Sequence, residues 1–135
     1  MSMPVQSAQK RQVAAARILV VDDEESIRDL CARVLTRAGY AVKTVPSGED
    51  AVTTMAEAAF DLLISDIRMP GMSGLEVLAR AKTAYPHIRV VLITGFGTPQ
   101  ILTRGQPPSA DRILTKPFSP TELLTAVREN LPPAR

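Results

Sequence analysis

Five polar residues stand at the ends of apolar runs. Asp22 and Asp23 close ARILVVDD, Asp66 closes FDLLISD, Thr94 closes RVVLIT and Lys116 closes RILTKP. Three ionised carboxylates in one place repel one another, by about 4 kcal/mol for two unit charges 4 Å apart at an effective dielectric near 20. A divalent cation relieves that repulsion, and all-oxygen ligation favours Mg²⁺ or Mn²⁺ over zinc. Adjacent aspartates at a strand end diverge, so one of Asp22 and Asp23 can bind the ion directly while the other acts through water. Lys116 can pair with Asp66 or with an anion attached to it, and Thr94 offers that anion a hydroxyl. A carboxylate beside a metal, an ammonium and a hydroxyl is suited to accept a phosphoryl group as an acyl phosphate. Each residue also has a plainer reading: Asp22 and Asp23 as a helix N-cap, Asp66 as a turn residue, Thr94 as a strand-end cap and Lys116 as a surface ammonium.

Whether the five meet depends on the elements that carry them. Runs of Val, Ile and Leu bounded by polar residues are the pattern of parallel strands buried on both faces, and ligands of open α/β sheets sit beyond the carboxyl ends of such strands. The spacing predicts strands at Ile18–Val21, Ala41–Val45 (shorter, more polar and at an edge), Phe60–Ser65, Val90–Ile93 and Arg112–Leu114. Helices alternate with them, which is the mark of βαβ units. The first presents Ile27, Leu30, Cys31, Val34, Leu35 and Ala38 on one face and stops at Gly39. The second opens at Ser47 and turns Ala51, Val52 and Met55 inward. The third follows the loop Arg68–Gly74, with Leu75, Leu78 and Ala79 inward. The last starts in a capping box, Ser119-Pro-Thr-Glu122, runs through Leu123, Leu124, Val127 and Leu131, and ends at Pro132 and Pro133. Between the fourth and fifth strands the sequence GFGTPQILTRGQPPSAD leaves only Gln100–Arg104 free of breakers, so the helix expected there is short or disordered.

A chain of 135 residues with 45% apolar and 22% charged side chains fits one globular domain. No apolar run reaches the roughly 20 residues that span a bilayer. No signal-peptide core precedes residue 18, so export is not expected. One cysteine, Cys31, excludes an internal disulfide and fits a cytoplasmic setting. The pI near 9.0 invites a nucleic-acid partner. However, Lys10, Arg11, Arg17 and Arg135 lie at the ends, and residues 18–131 hold twelve basic and fourteen acidic side chains, a balance of −2. That distribution argues against nucleic-acid binding by the folded body. Residues 1–16, rich in Gln, Ala and Ser, read as a flexible tail with at most a marginal helix at Gln12–Ala16.

ILVVDDEESIRDL, FDLLISDIRMPGMSGLEVL, VVLITG and ILTKPF together resemble the receiver domain of two-component response regulators. The likeness spans the patterned chain, with the domain taken as residues 17–132. It implies a doubly wound, flavodoxin-like fold with a five-stranded parallel sheet in the order 2-1-3-4-5. It implies Asp66 as phosphoacceptor, Mg²⁺ (or Mn²⁺) held by Asp22, Asp23, Asp66 and the backbone carbonyl of Arg68, and Thr94 and Lys116 as contacts of the phosphoryl group. It implies a cis Lys116–Pro117 bond. The donor would be a phosphohistidine on a sensor histidine kinase or histidine phosphotransfer protein, and the output a contact with an unknown downstream protein, with no membrane partner. Slow self-dephosphorylation is expected rather than enzymatic turnover, and Arg68 and Phe96, two residues beyond Asp66 and Thr94, are expected to influence its rate.

Two departures stand out. Receivers commonly carry Tyr or Phe three residues before the lysine, and here that residue is Ile113. The broken segment before the fifth strand adjoins it. Phosphorylation is therefore expected to change order in residues 95–110 rather than to rotate an aromatic ring. Two other classes remain open: a receiver-like scaffold that is never phosphorylated, and a metal-dependent phosphohydrolase using an aspartyl phosphate. Arg68, where such hydrolases often carry a second Asp, disfavours the latter. No effector domain follows residue 131, so direct transcriptional control is not expected.

Overall fold

The computed structural model describes residues 15–95 and 110–131. Its strands are β1 (Arg17–Val21), β2 (Ala41–Val45), β3 (Leu62–Asp66), β4 (Arg89–Thr94) and β5 (Arg112–Thr115). They form one parallel sheet in the order β2-β1-β3-β4-β5. Four described helices cover it: α1 (Glu25–Arg37), α2 (Gly48–Glu57), α3 (Gly74–Ala84) and α4 (Pro120–Asn130). Almost all of the N-terminal tail, Phe96 and the short helix expected before β5 lie outside the described residues. Among those described, no helix is long and apolar enough to cross a membrane.

The apolar runs are buried on both faces because successive side chains point to opposite sides. Leu19, Val21, Leu63, Val90 and Leu92 pack under α2 and α3 with Ala51, Met55, Val77 and Ala81. Ile18, Val20, Leu62, Ile64, Val91 and Ile93 pack under α1 and α4 with Cys31, Leu35, Leu123 and Val127. Each such aliphatic side chain contributes about 1.5–3 kcal/mol on burial, so the sheet is a stiff platform for whatever its strand ends carry. The edge strand β2 is half-exposed along most of its length, as its polar sequence predicts. Gly39 takes φ +101° just past α1. Ser119 caps α4 in a reciprocal box with Glu122, and the Lys116–Pro117 bond is cis.

Two expectations change by more than one residue at an element's end. The third strand spans Leu62–Asp66, not Phe60–Ser65. Asp61 grips the start of β1, its N–H donating to the Arg17 carbonyl (2.8 Å) and its Oδ2 accepting the Arg17 N–H (2.7 Å). Phe60 lies under the Arg17 guanidinium, 5.4 Å from ring centroid to Cζ. The inner face of α3 is Gly74, Val77, Leu78 and Ala81, whereas Leu75 and Ala79 are exposed. The cause is Gly74: its N–H donates to the Ile67 carbonyl (2.9 Å), and a Cβ there would lie 2.1 Å from the Asp66 carbonyl oxygen. The first turn of α3 therefore presses against the end of β3, which rotates the helix onto the 74, 77/78, 81 stripe.

Gly74→Ala is expected to lower stability by about 1–3 kcal/mol, the range for forcing atoms into a packed contact. Leu75→Ala, on the outer face, is expected to change it by less than about 0.5 kcal/mol. Urea unfolding of the two variants checks this; equal effects would contradict the assigned face.

Candidate functional site

Register alone brings the polar residues to one level. Val21 pairs with Ser65, so Asp22 follows β1 where Asp66 ends β3. Asp66 pairs with Ile93, and Thr94 with Thr115, so Thr94 and Lys116 lie one step beyond on the next two strands. The ladder continues past the strands: the Ile67 N–H donates to the Ile93 carbonyl (2.9 Å) and the Lys116 N–H to the Thr94 carbonyl (2.9 Å). One carboxylate oxygen from each of Asp22, Asp23 and Asp66 lies within 4.8 Å of the others.

Asp22, Asp66 and Thr94 are buried, while Asp23 is exposed, so the aspartate pair does diverge. The Lys116 Nζ lies 3.3 Å from Asp22 Oδ2, 3.4 Å from Asp66 Oδ2 and 2.5 Å from Glu24 Oε1. Asp22 Oδ1 accepts the Glu24 N–H (2.9 Å). Its Oδ2 is buried with no hydrogen bond; the ammonium is near enough to attract it but not aligned to donate. A buried, orphaned carboxylate oxygen facing two other carboxylates is what a small hard cation requires.

Electrostatics follow from this crowding. Burial first, then the Asp66 charge, pushes Asp22 up from 3.8 to about 6, against the Glu24 hydrogen bond and Lys116. Burial raises Asp66 above its usual range despite Lys116 and the Arg68 backbone N–H. For Lys116, burial works against the charge, but the Glu24 hydrogen bond and the Asp22 and Asp66 charges win and strengthen its hold on the proton.

The structure thus gathers Asp22, Asp23, Asp66, Thr94 and Lys116. Asp22 is not the cap of α1; the cap position is Glu24, whose side chain makes no capping bond. The Thr94 hydroxyl donates to the Gly95 carbonyl (3.2 Å). Arg68 is exposed at the rim, with Met69 buried and Met72 half-buried beneath the loop. Ile113 is half-buried in β5 beside Leu92. Cys31 is core, its thiol pushed up to about 12 by burial, and His87 is exposed. The changes expected in residues 95–110, and the role of Phe96, lie outside the described residues almost entirely. Sequence reasoning missed Glu24 as the nearest partner of Lys116; the only signal was a third acidic residue directly after the Asp pair.

A family model for the response regulator receiver domain matches residues 18–128, and the chain belongs to this family. FleR, a response regulator of Pseudomonas aeruginosa, is 36% identical over 113 residues, covering 84% of this chain and 24% of FleR. Sporulation initiation phosphotransferase F of Bacillus subtilis is 33% identical over 116 residues, covering 86% of this chain and 94% of that protein. The chain spans about a quarter of FleR and 46% of the transcriptional regulator TcrA of Mycobacterium tuberculosis. Among solved structures, chemotaxis protein CheY4 of Vibrio cholerae matches with a TM-score of 0.81 at 34% identity, covering 87% of this chain and 100% of CheY4. TrrA of Thermotoga maritima, solved in complex with Mg²⁺-BeF, matches with a TM-score of 0.78 at 35% identity, covering 86% of this chain and 99% of TrrA. The chain is accordingly a phosphoacceptor module of two-component signalling, and receiver domains are signalling modules, not classical enzymes. Receiver domains bind Mg²⁺ through acidic residues, and the Asp22, Asp23 and Asp66 cluster is the candidate here.

The raised pKa of Asp22 has a definite sign. Between 3.8 and about 6 the folded chain holds a proton that the unfolded chain releases, so stability falls as pH rises through this window and the penalty is complete above it. Without divalent cations, Asp22→Asn is expected to exceed the wild type in stability above pH 6 by on the order of 2 kcal/mol, with the gap closing towards pH 4. Urea titrations in a chelator at both pH values measure it; a gap independent of pH would contradict the assignment.

Proposed function

We propose that Asp66 accepts the phosphoryl group from a phosphohistidine of a sensor histidine kinase or histidine phosphotransfer protein. The observation that carries this is the placement of Asp66: a carboxylate at the end of the central strand β3, 3.4 Å from the Lys116 ammonium and within the Asp22–Asp23–Asp66 cluster. An Asp66 oxygen attacks phosphorus as the phosphorus–nitrogen bond breaks and the imidazole leaves with the bonding electrons. Negative charge on the transferring oxygens is met by Lys116 and by the Thr94 hydroxyl, both fixed by the ladder bond between their backbones. Asp22, Asp23, Asp66 and the Arg68 carbonyl would hold Mg²⁺, which when bound supplies the remaining positive charge. Asp22, buried and orphaned at Oδ2, has the most to gain from that ion.

The same proposal takes residues 17–132 as the receiver unit, preceded by residues 1–16, and places it in the cytoplasm, in keeping with its single unpaired thiol. Output runs through contact with a downstream protein, not through membrane or nucleic acid. Self-dephosphorylation is slow, with the exposed Arg68 side chain at the rim limiting access of water to the acyl phosphate.

Incubation with Mg²⁺ and acetyl phosphate, followed by intact mass, tests the central assignment. One phosphoryl adduct is expected in the wild type and none in Asp66→Asn. An adduct that survives in Asp66→Asn would move the acceptor elsewhere, and its absence from the wild type would favour the scaffold reading.

A further inference from the structure

Three of the four described helices begin with a serine whose hydroxyl accepts the N–H three residues on: Ser47 from Asp50 (3.1 Å), Ser73 from Glu76 (3.3 Å) and Ser119 from Glu122 (3.0 Å). The helix that starts at the functional site does not. The N-cap residue of α1 is Glu24, extended at φ −92° and ψ 117°, and its side chain makes no capping bond. Glutamate is not among the favoured N-caps. Its carboxylate instead reaches across 92 residues of sequence to Lys116, at 2.5 Å the shortest of the three carboxylate contacts of that ammonium. The Glu24 backbone is pinned while it does so: its N–H donates to Asp22 Oδ1 (2.9 Å), and its carbonyl accepts the Ile27 and Arg28 N–H groups (both 3.1 Å). A local rule broken at a site, with the side chain spent on a long-range contact, points to function.

We propose that Glu24 is a positioning residue that tethers Lys116 and thereby restrains phosphoryl acceptance. This rests on the reading of Asp66 as acceptor. With acetyl phosphate as donor, an Asp66 oxygen bonds to phosphorus while the bond from phosphorus to the acetate oxygen breaks, and acetate leaves with the electron pair. The transferring oxygens need the Lys116 ammonium, a compact charge on a flexible stem. To serve them it must loosen its contact with Glu24, whose own charge also repels the incoming anion at the half-exposed mouth. Removing that charge while keeping the shape frees the lysine and lowers the repulsion together.

The test compares rates of phosphorylation by acetyl phosphate at saturating Mg²⁺ in the wild type, Glu24→Gln, Glu24→Ser and Glu25→Gln. Both Glu24 variants are expected to run about two- to five-fold faster, the scale of a half-exposed ion pair, and the gain is expected to shrink near 1 M salt, where screening acts over about 3 Å. Glu25→Gln, which removes an exposed charge one residue further on, is expected to match the wild type. Glu24→Ser is also expected to melt higher, because the hydroxyl supplies the missing cap, which separates the rate effect from stability. Glu24 variants at or below the wild-type rate would overturn the tether while leaving Asp66 as acceptor. A wild type that takes up no phosphoryl group would remove the reading of Asp66, and the tether with it.

Discussion

The structure turns on the repulsion between Asp22 and Asp66, two carboxylates that a buried sheet forces together. Neither can retreat, because each continues or ends a strand packed on both faces, and both are themselves buried. Burial raises the proton affinity of each, with the Asp66 charge adding to the rise at Asp22 and the Asp23 charge to that at Asp66. Lys116 offsets part of this strain, and its own proton is held more tightly by the Glu24 hydrogen bond and by the Asp22 and Asp66 charges. Positive charge arriving at the cluster is therefore favoured. The attraction of the cluster for a cation and its cost in stability have the same origin.

The sheet can impose that strain because, among the described residues, the loop after β3 is clamped beside the site. Gly74 brings α3 against the Asp66 backbone, where no side chain fits. Glu49, in the first turn of α2, accepts the Met72 N–H (3.2 Å) and closes the loop after β3. Gly71 in that loop takes φ +75°, and a Cβ there would lie 2.8 Å from Glu49 Oε2. The loop carrying Arg68 is thus held from both sides, whereas the Glu24–Lys116 pair lies half-exposed at the mouth.

Much of this was legible in the sequence because strands buried on both faces write themselves as unbroken apolar runs, and register then places their ends at one level. The edge position of Ala41–Val45, the Ser119 capping box and the convergence of Asp22, Asp66, Thr94 and Lys116 were readable on those grounds. The rest depends on tertiary contacts without a local signature. The face of α3 is set by the contact of Gly74 with Asp66, which favours Val77 and Ala81 over Leu75 and Ala79. The start of β3 is shifted by the bonds between Asp61 and Arg17. Asp111 accepts the Val90 N–H (2.8 Å) and pairs with Lys82 and Arg89 (both 3.1 Å), ties that lower its pKa although burial opposes them. Nothing beside it in the chain announces these partners. Glu24 looks like one more charge at a helix start until its reach to Lys116 is seen.

The most direct test of the crowded-carboxylate account is the shift in melting temperature on replacing a chelator with saturating MgCl₂ at pH 7.5. Ligand that binds only the folded chain raises its stability. A clear rise is expected for the wild type and little or none for Asp22→Asn, whose metal-free form already lacks the repulsion. An equal rise in both proteins, or none in the wild type, would contradict it.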